Sequence, residues 1–146
     1  MNDLKYRKLS NEESQEIKKL GDLAASKLNL EEISNYELTL NNIRSYLDDI
    51  RSLNKEEVTS LAYEFGSLYG DLIAKKYHWS WYFIEQESED IQLYCVASPD
   101  RLFCCPVHDY FYQIISKDKN NNSKLLFNML SGLDKNRSTG AFTFLT

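Results

Sequence analysis

The sequence predicts an α+β domain, with an N-terminal three-helix layer packed on a small antiparallel β-meander and one or two C-terminal helices. Three observations carry this prediction. Three segments in the first half open on a capping signature and continue with apolar residues three and four apart, the spacing of one helical face. The period then drops to two in Trp79-Ser80-Trp81-Tyr82-Phe83-Ile84, which puts Trp79, Trp81 and Phe83 on one side of a strand and Ser80, Tyr82 and Ile84 on the other. Short turns separate the strands that follow, and short connections make antiparallel neighbours.

Residues 1–9 read as a lead-in. Ser10 with Glu13 is a capping box for a helix of about 11–28, with Ile17, Leu20, Leu23, Ala24 and Leu28 inward and Gly21 as a weak point. Ser34 with Glu37 repeats the signature for a helix of about 35–53 bearing Leu40, Ile43, Leu47 and Ile50. Asn54 with Glu57 opens the third, about 55–77, whose stripe is Val58, Leu61, Phe65, Leu68 and Leu72. Gly66 and Gly70 in that helix leave a smooth face for close packing of another backbone. Strands follow at about 79–86, 91–97 and 101–105, joined by Glu87-Ser88-Glu89-Asp90 and Ser98-Pro99-Asp100. The central strand is apolar at nearly every position, as expected of one covered on both faces. Residues 107–116 suit a helix and a strand equally. The polar loop from Lys117 to Lys124 precedes a last short helix with Leu125, Leu126, Met129, Leu130 and Leu133. Residues 134–146 read as a tail, in which 141–145 either adds an edge strand or stays loose.

The 146 residues suit one domain, 1–146, with its core in 10–133, and 42% apolar and 13% aromatic content suffices for a core. Residues 61–100 hold seven acids and two bases, an imbalance equal to the whole net charge of −5. Such a field repels nucleic acid and attracts a basic partner. No apolar run reaches the roughly 20 residues of a membrane span, and no signal segment opens the chain. Cys95, Cys104 and Cys105 are an odd number without framework spacing. A cytoplasmic protein with free, buried thiols is therefore expected.

Few constellations suggest chemistry. Cys95, Cys104, Cys105 and His108 hold zinc-ligand types, but adjacent strand cysteines point to opposite faces. Cysteine with His108 and Asp109 has the groups of a thiol nucleophile, but sequence neighbours diverge in space. Glu64 and Asp71, two turns apart, could act with His78 as acid–base groups, although they read more simply as a polar edge. No phosphate-binding glycine loop occurs. Lys117, Lys119 and Lys124 read as a solubility cluster. No cofactor or metal is expected. The best constellation is the acidic hairpin, where Glu85, Glu87, Glu89 and Asp90 beside Tyr82 and Tyr94 would rim an aromatic anchor for a basic protein. Ten tyrosines also favour a binding protein.

The stretch Leu61–Gly70, containing Phe65-Gly66, then Tyr77-His78-Trp79-Ser80-Trp81, then Leu102-Phe103-Cys104-Cys105-Pro106, resembles bacterial immunity proteins of polymorphic-toxin and contact-dependent growth inhibition systems over about residues 58–130. The resemblance implies a non-enzymatic protein that neutralises a cognate toxin domain by occlusion. It carries over no functional residues. The alternative is an adaptor or structural subunit of a larger assembly. Monomer and dimer are both compatible with either reading.

Overall fold

The computed structural model describes residues 4–30, 35–51, 53–132 and 143–144. Along the chain these form β1 (Lys5–Lys8), α1 (Asn11–Lys27), α2 (Tyr36–Asp48), α3 (Lys55–Tyr77), β2 (Ser80–Gln86), β3 (Ile91–Ala97), β4 (Phe103–Cys105), α4 (Val107–Ile115), α5 (Ser123–Met129) and β5 (Thr143–Phe144). The sheet runs in the order β1-β2-β3-β4-β5. Its first four strands are antiparallel, and β5 lies parallel to β4. Of the two alternatives for residues 107–116 the helix holds, over Val107–Ile115, and part of the expected tail joins the sheet edge.

Capping sets the helix starts. The Ser10/Glu13 and Asn54/Glu57 boxes both form, each with side chain and backbone bonds in both directions. The cap of α2 is Asn35, whose Oδ1 accepts from the Leu38 N–H at 3.0 Å; the expected Ser34 lies outside the described residues. His78 ends α3 in the left-handed conformation, at φ 61°. The chain there turns from helix into strand, and Trp79 drops into the main core.

α3 is the central helix, packed between α1 and α4 with the sheet beneath. All five residues of its predicted stripe are buried. α2 joins the same core through Leu40, Ile43 and Leu47, with Tyr46 against Phe65 at 5.3 Å between centroids. α5 is hung from α3 by two tyrosines: Tyr69 Oη donates to the Ser123 carbonyl at 2.7 Å and Tyr77 Oη to the Phe127 carbonyl at 2.6 Å. Part of the tyrosine richness is therefore structural.

The sheet is buried on both faces around β3 and β4. Trp81, Val96 and Cys105 join the main core under the helices, while Tyr82, Ile84, Cys95, Ala97 and Cys104 form a second cluster on the other side. Cys104 and Cys105 do point to opposite faces, and all three cysteines are free and buried. Burial raises the Cys105 thiol; the hydrogen bond that the Cys104 thiol donates to the Cys95 sulfur, together with burial, raises Cys104.

Three expectations are corrected. Residues 5–8 are a strand rather than a lead-in, paired from Lys5 opposite Glu85 to Lys8 opposite Tyr82. Leu23 is exposed and Gly21 takes its place on the inward face of α1. In the last helical segment Phe127 joins Leu126 and Leu130 on the core side, whereas Leu125 and Met129 face outward and Leu133 lies outside the described residues. At Gly21 an added Cβ would meet Leu68 N at 3.4 Å, an ordinary contact. Gly21→Ala is accordingly expected to stabilise the protein by up to about 1 kcal/mol through helix propensity, read as a higher denaturation midpoint. A lower midpoint would mean that α1 and α3 are in closer contact than described.

Candidate functional site

A cleft of about 790 Å³ lies between the first half of α3, the start of β3 and the start of α4. Each wall has a local cause. Tyr63 sits on α3 outside its buried stripe and stays 44% exposed. Tyr94 follows the β3 alternation onto the helix-facing side, where its ring meets Phe83 at 5.0 Å. Pro106 ends β4 and starts α4, which brings His108 against α3 at Gly66. Asp90 stands at the β2–β3 turn with φ 51°, and Tyr112 and Asp109 come from successive turns of α4. Gln113 Nε2 donates to Asp109 Oδ2 at 2.7 Å and orients that carboxylate.

His108 is the hub. Its ring lies 4.8 Å from Tyr63, 6.2 Å edge-on to Tyr94 and 6.0 Å over Trp81, and its Nε2 is 2.9 Å from Ser67 Oγ. Burial lowers its pKa to about 4, so the imidazole is neutral at pH 7. Ser67 is wholly buried in mid-helix, and no carboxylate hydrogen-bonds His108 among the described residues. The Ser67–His108 pair is thus built as a packing bond between α3 and α4, without the oriented base and reachable nucleophile of an acyl-transfer site.

Behind the wall of Tyr63, Tyr94 and His108 a second cavity of about 280 Å³ opens against α1, where Glu12, Glu13 and Glu16 line it. Arg7 of β1 engages Glu13 in a two-pronged pair, 2.7 and 3.1 Å, while its guanidinium lies 4.8 Å over the Phe83 ring. Tyr94 Oη donates to Glu13 Oε2 at 2.6 Å, sharing that oxygen with Arg7 Nη2. Arg7, Tyr94 and the Ser10 N–H together hold the Glu13 carboxyl far below its usual range. The bond to Glu13 raises Tyr94 to about 12. Among the described residues the charged side chains lining the two cavities are the carboxylates Asp90, Asp109, Glu12, Glu13 and Glu16, with no lysine or arginine.

The structure divides the expected acidic hairpin. Asp90 and Tyr94 line the cleft. Glu85 lies opposite Gln92, close enough to Arg7 to act on its charge, and Glu87 and Glu89 are exposed in the 3-10 turn. Tyr82 is buried on the opposite face of the sheet, against Tyr6 at 5.8 Å, and shares no surface with Tyr94. The alternation along β2 carries that information. Tyr63 was not expected beside His108, Asp109 and Tyr112, because α3 and α4 are far apart in sequence; the exposed tyrosine beside the α3 stripe was the available signal.

The other constellations are dispersed. Glu64 is buried against Lys27 Nζ at 2.6 Å, Asp71 Oδ1 accepts from Trp81 Nε1 at 3.1 Å, and His78 is the exposed end of α3. Burial raises the Asp71 carboxyl. No group of three His, Cys, Asp or Glu side chains fit to hold a metal occurs among the described residues. Nor is any helix among them long and apolar enough to cross a membrane.

No family model, curated protein or solved structure matches the chain. The cleft itself is therefore the basis for a functional reading.

Proposed function

We propose that this protein binds and neutralises a cognate protein toxin domain, covering the toxin's active cleft or substrate-binding surface as an immunity protein does. One observation supports the reading above others: two adjoining cavities lined, among the described residues, by five carboxylates and no lysine or arginine, with Glu13 alone of the five paired to a neighbouring Arg7, and divided by an aromatic wall next to the Glu87–Glu89 turn. Carboxylates over a low-dielectric aromatic floor focus a negative field, which speeds encounter with a basic partner and rejects acidic ones. Half-exposed Tyr63 supplies the apolar contact that such a surface needs to hold what it attracts. For a toxin that cleaves nucleic acid, the same carboxylates would take the place of phosphates on its basic surface.

The deciding experiment is co-expression with the C-terminal region encoded by the adjacent gene. The reading predicts that this region kills cells alone and is silenced by this protein through a stable complex. Absence of both toxicity and complex would reject it and favour an adaptor that uses the same surface in a larger assembly. Within a complex, Glu87→Lys with Glu89→Lys is expected to weaken association about tenfold at low salt and to flatten its salt dependence. The fold should be unaffected, because both side chains are exposed. An unchanged affinity would take the turn out of the interface.

A further inference from the structure

We infer that the larger cleft is a receptor for one arginine side chain projected by the protein partner, an inference that rests on the binding reading above and gives it a chemical specificity. An arginine guanidinium is flat, permanently charged and weakly hydrated, so it stacks on aromatic rings while forking onto carboxylates. The cleft offers these parts and nothing that opposes them. Tyr63, Tyr94 and Tyr112 supply ring surface, Asp90 and Asp109 supply charge from opposite walls, and His108 is held neutral by its burial. Its volume of about 790 Å³ admits a long side chain together with part of the backbone that carries it.

The molecule already contains one occupied site of this composition. Arg7 lies over Phe83, forks onto Glu13 and abuts Tyr94, whose hydroxyl bonds the same carboxylate. Tyr94 is common to both places. One side of it thus serves an internal arginine, while the other faces a cleft whose lining includes no internal cation. A lysine would satisfy the carboxylates, but as a compact, strongly hydrated charge it would make less use of the rings.

The test is titration of the whole protein with N-acetyl-arginine-methylamide, followed by backbone amide NMR shifts and by Trp81 fluorescence. The neutral urea analogue, N-acetyl-citrulline-methylamide, and the lysine counterpart serve as comparison probes. The expected result is saturable shifts centred on Tyr63, Tyr94 and Asp109, with a Kd on the order of millimolar for so small a probe. The lysine probe should be several-fold weaker and the citrulline probe silent. Asp90→Asn with Asp109→Asn should weaken the arginine probe by about tenfold. Both positions are exposed, and an unchanged melting curve will show that the variant folds. Equal binding of citrulline, unsaturable shifts, or indifference to the double variant would overturn the inference. The two readings fail separately. A toxin complex that forms equally well with the double variant rejects the arginine receptor and keeps the immunity reading. Specific arginine binding without a toxin partner does the reverse.

Discussion

Gly66→Ala is expected to destabilise the protein by about 2 kcal/mol, even though alanine is the better helix former. A Cβ at Gly66 would stand 2.8 Å from His108 Cδ2, 2.9 Å from the Val107 carbonyl oxygen and 3.0 Å from His108 Cα. Two of these atoms are backbone at the start of α4, so no rotamer change relieves the clash. Overpacking costs about 1–3 kcal/mol or more, against a propensity gain of about 1 kcal/mol. Pushing α4 away would also lengthen the Ser67–His108 bond, now 2.9 Å, for about 1 kcal/mol more. Gly70→Ala meets a different obstacle, the benzenoid edge of Trp81. That ring can tilt only by loosening its 3.1 Å bond to Asp71 and its stacking on His108. Denaturant midpoints for Gly21→Ala, Gly66→Ala and Gly70→Ala should thus move up, down and down. Neutrality at Gly66 would show that α4 can withdraw from α3 at little cost. It would also remove the rigid placement of His108 on which the cleft depends.

Stability should rise by about 3 kcal/mol between pH 4 and pH 6.5 on account of His108 alone. Its folded-state pKa is about 4, lowered by burial from an ordinary 6.5. As pH falls through this window the unfolded chain takes up the proton while the folded ring does not. The folded state is therefore favoured above the window and loses that advantage through it. Three other groups around the cluster titrate as well. Glu13, depressed by Arg7 and Tyr94, contributes above its ordinary 4.5 and loses that contribution only in stronger acid. Asp71, raised by burial, has the opposite sign near its ordinary 3.8 and offsets part of the fall. Tyr94, raised to about 12 from 10, supports the fold below pH 10 and loses that support as pH climbs from 10 to 12. Urea denaturation of His108→Gln at pH 4.5 and 6.5 isolates the histidine. The wild type should lose stability between the two and the variant should lose far less; equal slopes would mean that the ring is solvated.

The parts of the fold visible in the sequence are those with local causes. Two capping boxes and the α3 stripe are readable because an N-cap side chain and a 3.6-residue period act within one turn of helix. β1 was hidden because Lys5-Tyr6-Arg7-Lys8 is the charged edge of a sheet and carries no apolar alternation of its own. Phe127 was hidden because the apolar residues of this segment divide between two faces, Leu126 and Leu130 inward and Leu125 and Met129 outward, and because α5 is positioned by bonds from Tyr69 and Tyr77, some fifty residues earlier. The site was half legible. Local charge identifies Asp90 and its acidic neighbours, and a parity rule along β2 is enough to send Tyr82 away from them. The meeting of Tyr63, Tyr94 and His108 depends on how α3, β3 and α4 stack, which no single window of sequence contains.

The pairing of Lys5 with Glu85 has a consequence for the growing chain. β1 has no partner until β2 has been made, about eighty residues further along the chain. Over that interval α1, α2 and α3 can form from local contacts, and the loop that β1 must close encloses all three of them. β1 is therefore paired only after the three helices that lie between it and β2 have been made. Until Arg7 reaches Glu13 and Phe83 it travels as an unpaired segment with three positive charges in four residues, a composition that keeps a waiting strand from seeking company elsewhere.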